Sequence, residues 1–419
     1  MNTLIKQATI VDPLSPHNGQ KADILISDGT LVSIKKSIKQ NADRIIDVKG
    51  MHVSPGWVEI FADFADPGYE FRETLHTGAA TAAAGGFTDV CVIPNTRPAI
   101  DQKSTIEYIV QKASTLPVSI WPLGAVTKNI EGKELAEMYD MRQSGAIAFT
   151  DGIKPVQSAG LLIKALQYIK AFDGLLIQLP DDRSIAPSGL VHEGIVSTRL
   201  GLQSKPALAE ELMIERDIRL MVYTGSRLHF TGVTTETSLK VIKKAKQDKI
   251  PITCSATPYH LFFSDEDIAS YDTNLKVNPP LRPAKDRKAL QKAVKEGVID
   301  CFSSHHAPHD TDGKSVEFEY AKNGMLGLQT AYAVANTALA DIPQEKLIEL
   351  LAINPRKLLG LPIPTIAEGN KASLTLFDPS QKWVLEKKDI LSLSKNSPFI
   401  GIELTGKPLG IIHNNQIIL

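Results

Sequence analysis

The sequence predicts an α/β fold, a closed parallel (β/α)8 barrel with a small β domain built from both termini. The middle of the chain alternates short apolar runs with helical stretches, about eight times over about 300 residues, which is the rhythm of such a barrel. The two ends lack that rhythm and share another one, short alternating segments separated by turn residues. The central runs are apolar at consecutive positions, as in parallel strands covered on both faces. A doubly wound open sheet uses the same kind of strand and is the runner-up.

The elements follow in order. In residues 1–50, Thr3-Leu4-Ile5, Ala22-Asp23-Ile24-Leu25-Ile26, Leu31-Val32-Ser33-Ile34 and Arg44-Ile45-Ile46-Asp47-Val48 read as strands. Asp28-Gly29 between two of them is a hairpin signal. The barrel runs are 53–60, 87–94, 118–126, 146–151, 175–179, 228–233, 252–256 and 299–304. Helical patterns cover 76–84, 103–113, 135–143, 159–171, 207–221, 237–247 and 285–296, the first ending at Gly85-Gly86, a C-cap signal. Residues 180–206 read as one unusually long loop, a place where function or mobility concentrates. The β texture returns in Ala372-Ser373-Leu374-Thr375-Leu376-Phe377. It returns again in Pro408-Leu409-Gly410-Ile411-Ile412-His413, which an Asn414-Asn415 turn joins to Gln416-Ile417-Ile418-Leu419. The expected division is residues 1–52 with 365–419 for the small domain and 53–364 for the barrel.

Composition removes several functions. Of 419 residues, 43% are hydrophobic and 22% charged, and the formal net charge is -1. That is ordinary globular composition, with no basic excess for nucleic acid or an anionic membrane. No apolar run approaches the roughly 20 residues that span a bilayer. Met1 to Asp12 alternates like a strand and lacks a signal-peptide core. Cys91, Cys254 and Cys301 are far apart, each in an apolar β-like run, and read as buried small hydrophobes in a reducing cytosol. The expected location is cytoplasmic.

Motifs then sharpen the reading. Gly85-Gly86-Phe87-Thr88-Asp89-Val90 with Pro94-Asn95-Thr96, the loop 193–202, Thr257-Pro258-Tyr259-His260-Leu261, Asn278-Pro279-Pro280-Leu281-Arg282 and His306-Ala307-Pro308-His309 occur in order along the chain. Asn354-Pro355, Phe377-Asp378-Pro379 and the 394–399 segment close the series. In this combination the chain resembles the dihydroorotases, zinc-dependent cyclic amidohydrolases, through nearly its whole length. The resemblance implies the amidohydrolase kind of barrel with a small β-sandwich domain.

The same resemblance shows what is changed. The family's PGFIDxHxHLREPG segment corresponds to the stretch from Pro55 to Gly68. Its two zinc-binding histidines correspond to Phe61 and Asp63, and its substrate-holding arginine to Ala65. Glu59 occupies an adjacent acidic position. Asp151 keeps the aspartate after strand four. Gln178 replaces a histidine after strand five, and Gly232 replaces the second histidine of the segment that begins at His229. His305 replaces the proton-transfer aspartate after strand eight. Phenylalanine and glycine offer a metal no lone pair. One aspartate is too few ligands for a binuclear centre, so no metal cofactor is expected. The rival reading rebuilds a site from three of Glu59, Asp63, Asp151, His229 and His305, and zinc would then be the cofactor. His306 and His309 match non-ligand positions, and His192 and His260 read as loop and packing histidines. Asn95, Asn278 and His309 match substrate positions, which implies at most weak binding of dihydroorotate or carbamoyl-aspartate. Some relatives that lack the ligands serve as structural partners of aspartate carbamoyltransferase, and that partner is carried by analogy. Dimers are common for the family and for soluble enzymes generally.

Overall fold

Pro55-Gly56 divides what the sequence presents as one run. In the computed structural model, which describes residues 2–419, His52–Pro55 belongs to the sheet of the small domain and Trp57–Ala62 is the first barrel strand. Gly56 sits where the two part. A β-carbon there would lie 2.2 Å from Thr88 Oγ1, so only glycine lets the chain pass so close to the second strand.

The barrel strands are Trp57–Ala62, Phe87–Val92, Ser119–Pro122, Leu175–Gln178, Arg227–Phe230, Thr253–Ala256 and Cys301–Phe302, with Phe149 in the fourth place. The first three pair in order, and the last four pair in order, all parallel. The run 146–151 does not form a full strand. It is reduced to a bridge in which Phe149 N donates to Leu175 O and Phe149 O accepts from Ile177 N, while Thr150 N donates to Gly124 O. Those bonds join the third strand to the fifth. The eighth meets the first through Ser304 N to Glu59 Oε2 at 2.7 Å and Asp63 N to His306 O at 2.8 Å.

Helices cover the outside. Leu75–Ala84 begins at Thr74, whose hydroxyl accepts from Thr77 N while the Thr77 hydroxyl accepts from Thr74 N, a capping box of about 1 kcal/mol. Glu236–Gln247 begins at Thr235, whose hydroxyl accepts from Ser238 N. The expected 180–206 loop is partly built. Val191–His192 pairs with Ser204–Lys205, and the helix Ile195–Leu200 lies between them. Short polar segments of this kind carry no periodicity to read.

Strands from both ends of the chain share one eight-stranded sheet. Asn2–Ile10 pairs with Lys21–Ser27, which turns through Asp28-Gly29 into Thr30–Lys35. Leu374–Val384 joins His52–Pro55 to Glu403–His413. Ile5, Ile24, Ile26, Leu31, Val53 and Leu374 bury their side chains in this domain's own core. Trp57 fastens barrel to sheet, with its ring 4.7 Å from Tyr332 and 5.6 Å from Phe377. Each such aromatic pair adds about 0.5–1.5 kcal/mol beyond its buried area. All three cysteines are buried and free, each on a barrel strand. Among the described residues no helix is long and apolar enough to cross a membrane.

Candidate functional site

A cavity of about 550 Å³ opens at the C-terminal ends of the barrel strands. Phe61, Asp63, Asn95, Asn278, His305 and His309 all line it, so six of the residues singled out in the sequence do come together. Ala65, Asp151, Gln178, Gly232, Glu59 and His229 do not line it.

His305 dominates the floor. Its backbone is left-handed, with φ 46°. Its ring stacks on Phe61 with centroids 4.7 Å apart, and its Nε2 lies 2.7 Å from Thr231 Oγ1. A β-carbon on Gly232 would come within 2.7 Å of His305 Cε1. The imidazole at 305 therefore occupies the room that a side chain at 232 would need. Burial pushes the His305 pKa down to about 3, so the ring is neutral near pH 7. A hydrogen-bond chain fixes its tautomer. Ser255 Oγ donates to Thr231 Oγ1, and His229 bridges Thr253 Oγ1 at 2.9 Å and Ser255 Oγ at 3.1 Å. Thr231 is then left to donate to His305 Nε2, and His229 Nε2 donates to Ser255. Burial likewise holds His229 neutral, with its pKa pushed down to about 3.

Asp151 and Glu59 face away from the cavity, and Asp63 lines it. Asp151 Oδ1 accepts from Val126 N and Thr127 N at 2.9 Å each, and Oδ2 accepts from Thr127 Oγ1 at 2.5 Å. Desolvation raises its pKa to about 6, against those bonds. Glu59 is fully committed to Phe61 N, Ser303 Oγ and Ser304 N. Gln178 Nε2 donates away from the mouth, to Val156 O and to Asp217 Oδ2 at 3.2 Å each. Asp63 Oδ1 accepts from Ala65 N, and Oδ2 lies 3.6 Å from Arg72 Nη2. The other two histidines of the 305–309 cluster diverge. His306 Nδ1 accepts from Gly327 N at 3.2 Å with Nε2 3.6 Å from Glu73 Oε2, and His309 Nε2 donates to Asn323 O at 2.8 Å.

Among the described residues, no three His, Cys, Asp or Glu side chains gather to hold a metal ion. The set Glu59, Asp63, Asp151, His229 and His305 does not converge, because Glu59, Asp151 and His229 spend their donor atoms on the barrel wall and only Asp63 and His305 line the cavity. The residues present do not fit the zinc centre that the family resemblance implies. The residual substrate positions are also occupied. Asn95 accepts from Ile153 N and donates to Asp151 O. Asn278 accepts from Lys205 Nζ and donates to Asp181 Oδ2.

Sequence reasoning missed the cations. Arg72, Lys154, Arg183 and Lys322 line the cavity, against Asp63 as its one lining carboxylate. Arg72 follows the Pro67-Gly68 turn by only a few residues, which is the one signal that places it at the mouth.

The barrel, its mouth and the fused sheet define an amidohydrolase-type architecture. Residues 191–417 match the amidohydrolase family, and residues 50–238 match the family described as dihydro-orotase-like. The dihydroorotase of Caldicellulosiruptor saccharolyticus is 40% identical over 99% of this chain and 98% of its own length. That of Syntrophus aciditrophicus is 36% identical over 100% and 99%. The chain belongs to the dihydroorotase-like family. Among solved structures, the L-hydantoinase (dihydropyrimidinase) from Arthrobacter aurescens superposes with a TM-score of 0.87 at 24% identity, covering 99% of this chain and 95% of its own. It shows the shared fold.

Proposed function

We propose that this chain is a non-catalytic dihydroorotase homologue that acts in pyrimidine biosynthesis as a structural partner of aspartate carbamoyltransferase. The observation that carries the first half is the fit of His305 into the space beside Gly232, with Phe61 stacked on it. Metal-assisted hydrolysis needs several donors and an open position for water. The Phe61 ring offers no donor there, and His305 fills the room beside Gly232 that a side chain at 232 would need, which supports this reading. The names of the relatives support the pathway, and the retained frame around an altered site supports a role that uses shape. Phe71, Leu391 and Leu393 are exposed on segments joined through Glu73, apolar side chains that a partner would cover.

Two measurements test this. Freshly purified protein is expected to carry far less than one metal equivalent and to leave dihydroorotate unchanged when zinc is added. Near one or two equivalents, with turnover abolished in Asp151→Ala, would establish the rebuilt metalloenzyme instead. Sedimentation of the protein mixed with aspartate carbamoyltransferase from the same source is expected to show one complex at micromolar concentration. Independent migration would remove the partner role.

A further inference from the structure

Arg72 holds an unspent guanidinium. Its side chain is 15% exposed, and among the described residues none of its nitrogens donates to a protein acceptor within hydrogen-bond distance. Nε is buried with no partner at all. Its nearest carboxylate, Asp63 Oδ2, is 3.6 Å from Nη2, an ion pair without a hydrogen bond. The guanidinium lies over the Tyr69 ring, 4.5 Å from its centroid, which limits its freedom. A buried donor left unmade costs about 1–3 kcal/mol, so a guanidinium whose Nε is buried and unpaired, and whose Nη2 has Asp63 only at 3.6 Å, marks a place for a further acceptor. His306, on the same cavity, is not a second such donor, since its Nε2 is directed at the buried Glu73 Oε2, 3.6 Å away.

The rest of the wall has matching charge. Lys154 and Arg183 stand on the side of strands four and five, and Lys322 on the side of strand eight, so positive groups face the cavity from three directions. Arg183 is partly tied down, with Nη2 donating to Ile153 O at 2.6 Å. The volume of about 550 Å³ is that of an ordinary small-molecule pocket.

We propose that the barrel mouth is a receptor for a small polyanion, carboxylate or phosphate, anchored by a bidentate contact to Arg72. Arg72 enters from the turn after the first strand. It does not restore the arginine missing at position 65, where Ala65 is fully buried and lines no part of the cavity. One anionic group fits the Arg72 fork, and further charges reach toward Lys154, Arg183 and Lys322. This inference rests on the mouth holding no metal, as proposed above.

Calorimetric titration of chelator-treated full-length protein with citrate, pyrophosphate and dihydroorotate tests it, with metal content measured on the same sample. Citrate or pyrophosphate is expected to bind, more tightly than the singly charged dihydroorotate and less tightly as salt is raised. Arg72→Gln is expected to weaken that binding about tenfold or more, the loss of a charged hydrogen-bond pair. Arg72→Lys should weaken it too, because an ammonium cannot fork. Lys154→Gln and Lys322→Gln, both at exposed positions, should each weaken it less with the fold intact. If neither polyanion binds, if Arg72→Gln binds as well as wild type while folded, or if dihydroorotate alone binds, the proposal fails. A metal found before chelation overturns the non-catalytic reading separately and leaves the polyanion result to stand or fall by itself.

Discussion

A side chain added at Gly232 would meet two obstacles, the His305 ring at 2.7 Å and a backbone φ of +72°. Gly232→Ala is expected to cost about 1–3 kcal/mol, read from urea denaturation. His305→Ala in the same chain should relieve the steric part, giving a coupling of at least about 0.5 kcal/mol in a double-mutant cycle. Strictly additive effects would show that the imidazole does not fill that space. The histidines also set the acid response. His305, His229 and His260 have pKa values pushed by burial to about 3, against 6.5 unfolded. Below about pH 6.5 the unfolded chain takes protons that the folded chain refuses, so these groups lose stability as pH falls from 6.5 toward 3. Each contributes up to about 1.4 kcal/mol per pH unit. Asp151 runs the other way, because its folded pKa of about 6 makes ionisation cost stability as pH rises from 3.8 through 6. His305→Asn, which tolerates the left-handed backbone, is expected to flatten the acid slope by about one proton between pH 6 and 4. An unchanged slope would show that His305 titrates normally.

A buried arginine ties the 180–206 segment to the barrel at His192. Arg282 Nη2 reaches Glu210 Oε2 at 3.1 Å, Nε reaches Thr234 Oγ1 at 2.9 Å, and Nη1 reaches His192 Nδ1 at 3.2 Å. Burial pushes the His192 pKa down to about 4, so near pH 7 the ring is neutral and accepts from the guanidinium. Removing one partner of a buried pair leaves the other charge stranded, so Arg282→Ala is expected to lose about 3–5 kcal/mol and to open residues 190–205 to proteolysis. Protection equal to wild type would place the restraint elsewhere. This element was only half legible in the sequence. Strong local signals match the structure, as with Asp28-Gly29 between two alternating runs or the apolar stretch 87–94. The two-residue strands at 191–192 and 204–205 are too short to show a period. The apolar run 146–151 predicts a full fourth barrel strand but pairs only at Phe149, because apolar content does not report how many residues hydrogen-bond. At Gly56 the apolar run was continuous, and the break came from contact with Thr88, a neighbour distant in sequence.

Barrel and sheet are woven through each other by the chain ends. Leu374–Val384 supplies the partner of His52–Pro55, Thr375 Oγ1 donates to Gly86 O at 2.6 Å, and Ser119 Oγ meets His413 Nε2 at 2.9 Å. Truncation after residue 371 would strip Phe377 from Trp57 and leave a sheet edge bare. The shortened chain is expected to show no cooperative thermal transition by circular dichroism, whereas the full chain melts with ring fluorescence and helix signal together. A truncated barrel with a sharp transition would show that it folds alone. At this scale the sequence was most informative, since the rhythm of the middle and the matching texture of the two ends are global patterns. The site was less so. The exchanged residues at 61, 63, 178, 232 and 305 could be read individually. That Asp151 and Gln178 turn into the wall, and that Arg72 faces the cavity, depends on packing between segments far apart in the chain.

The interlock of positions 232 and 305 makes them a single unit of change. Histidine placed at 232 alone would overpack the floor against the His305 ring and strain the left-handed backbone. Aspartate placed at 305 alone would take away the ring that Phe61 packs against. The joint change removes the clash but keeps the backbone cost at 232, so these two positions cannot be exchanged independently.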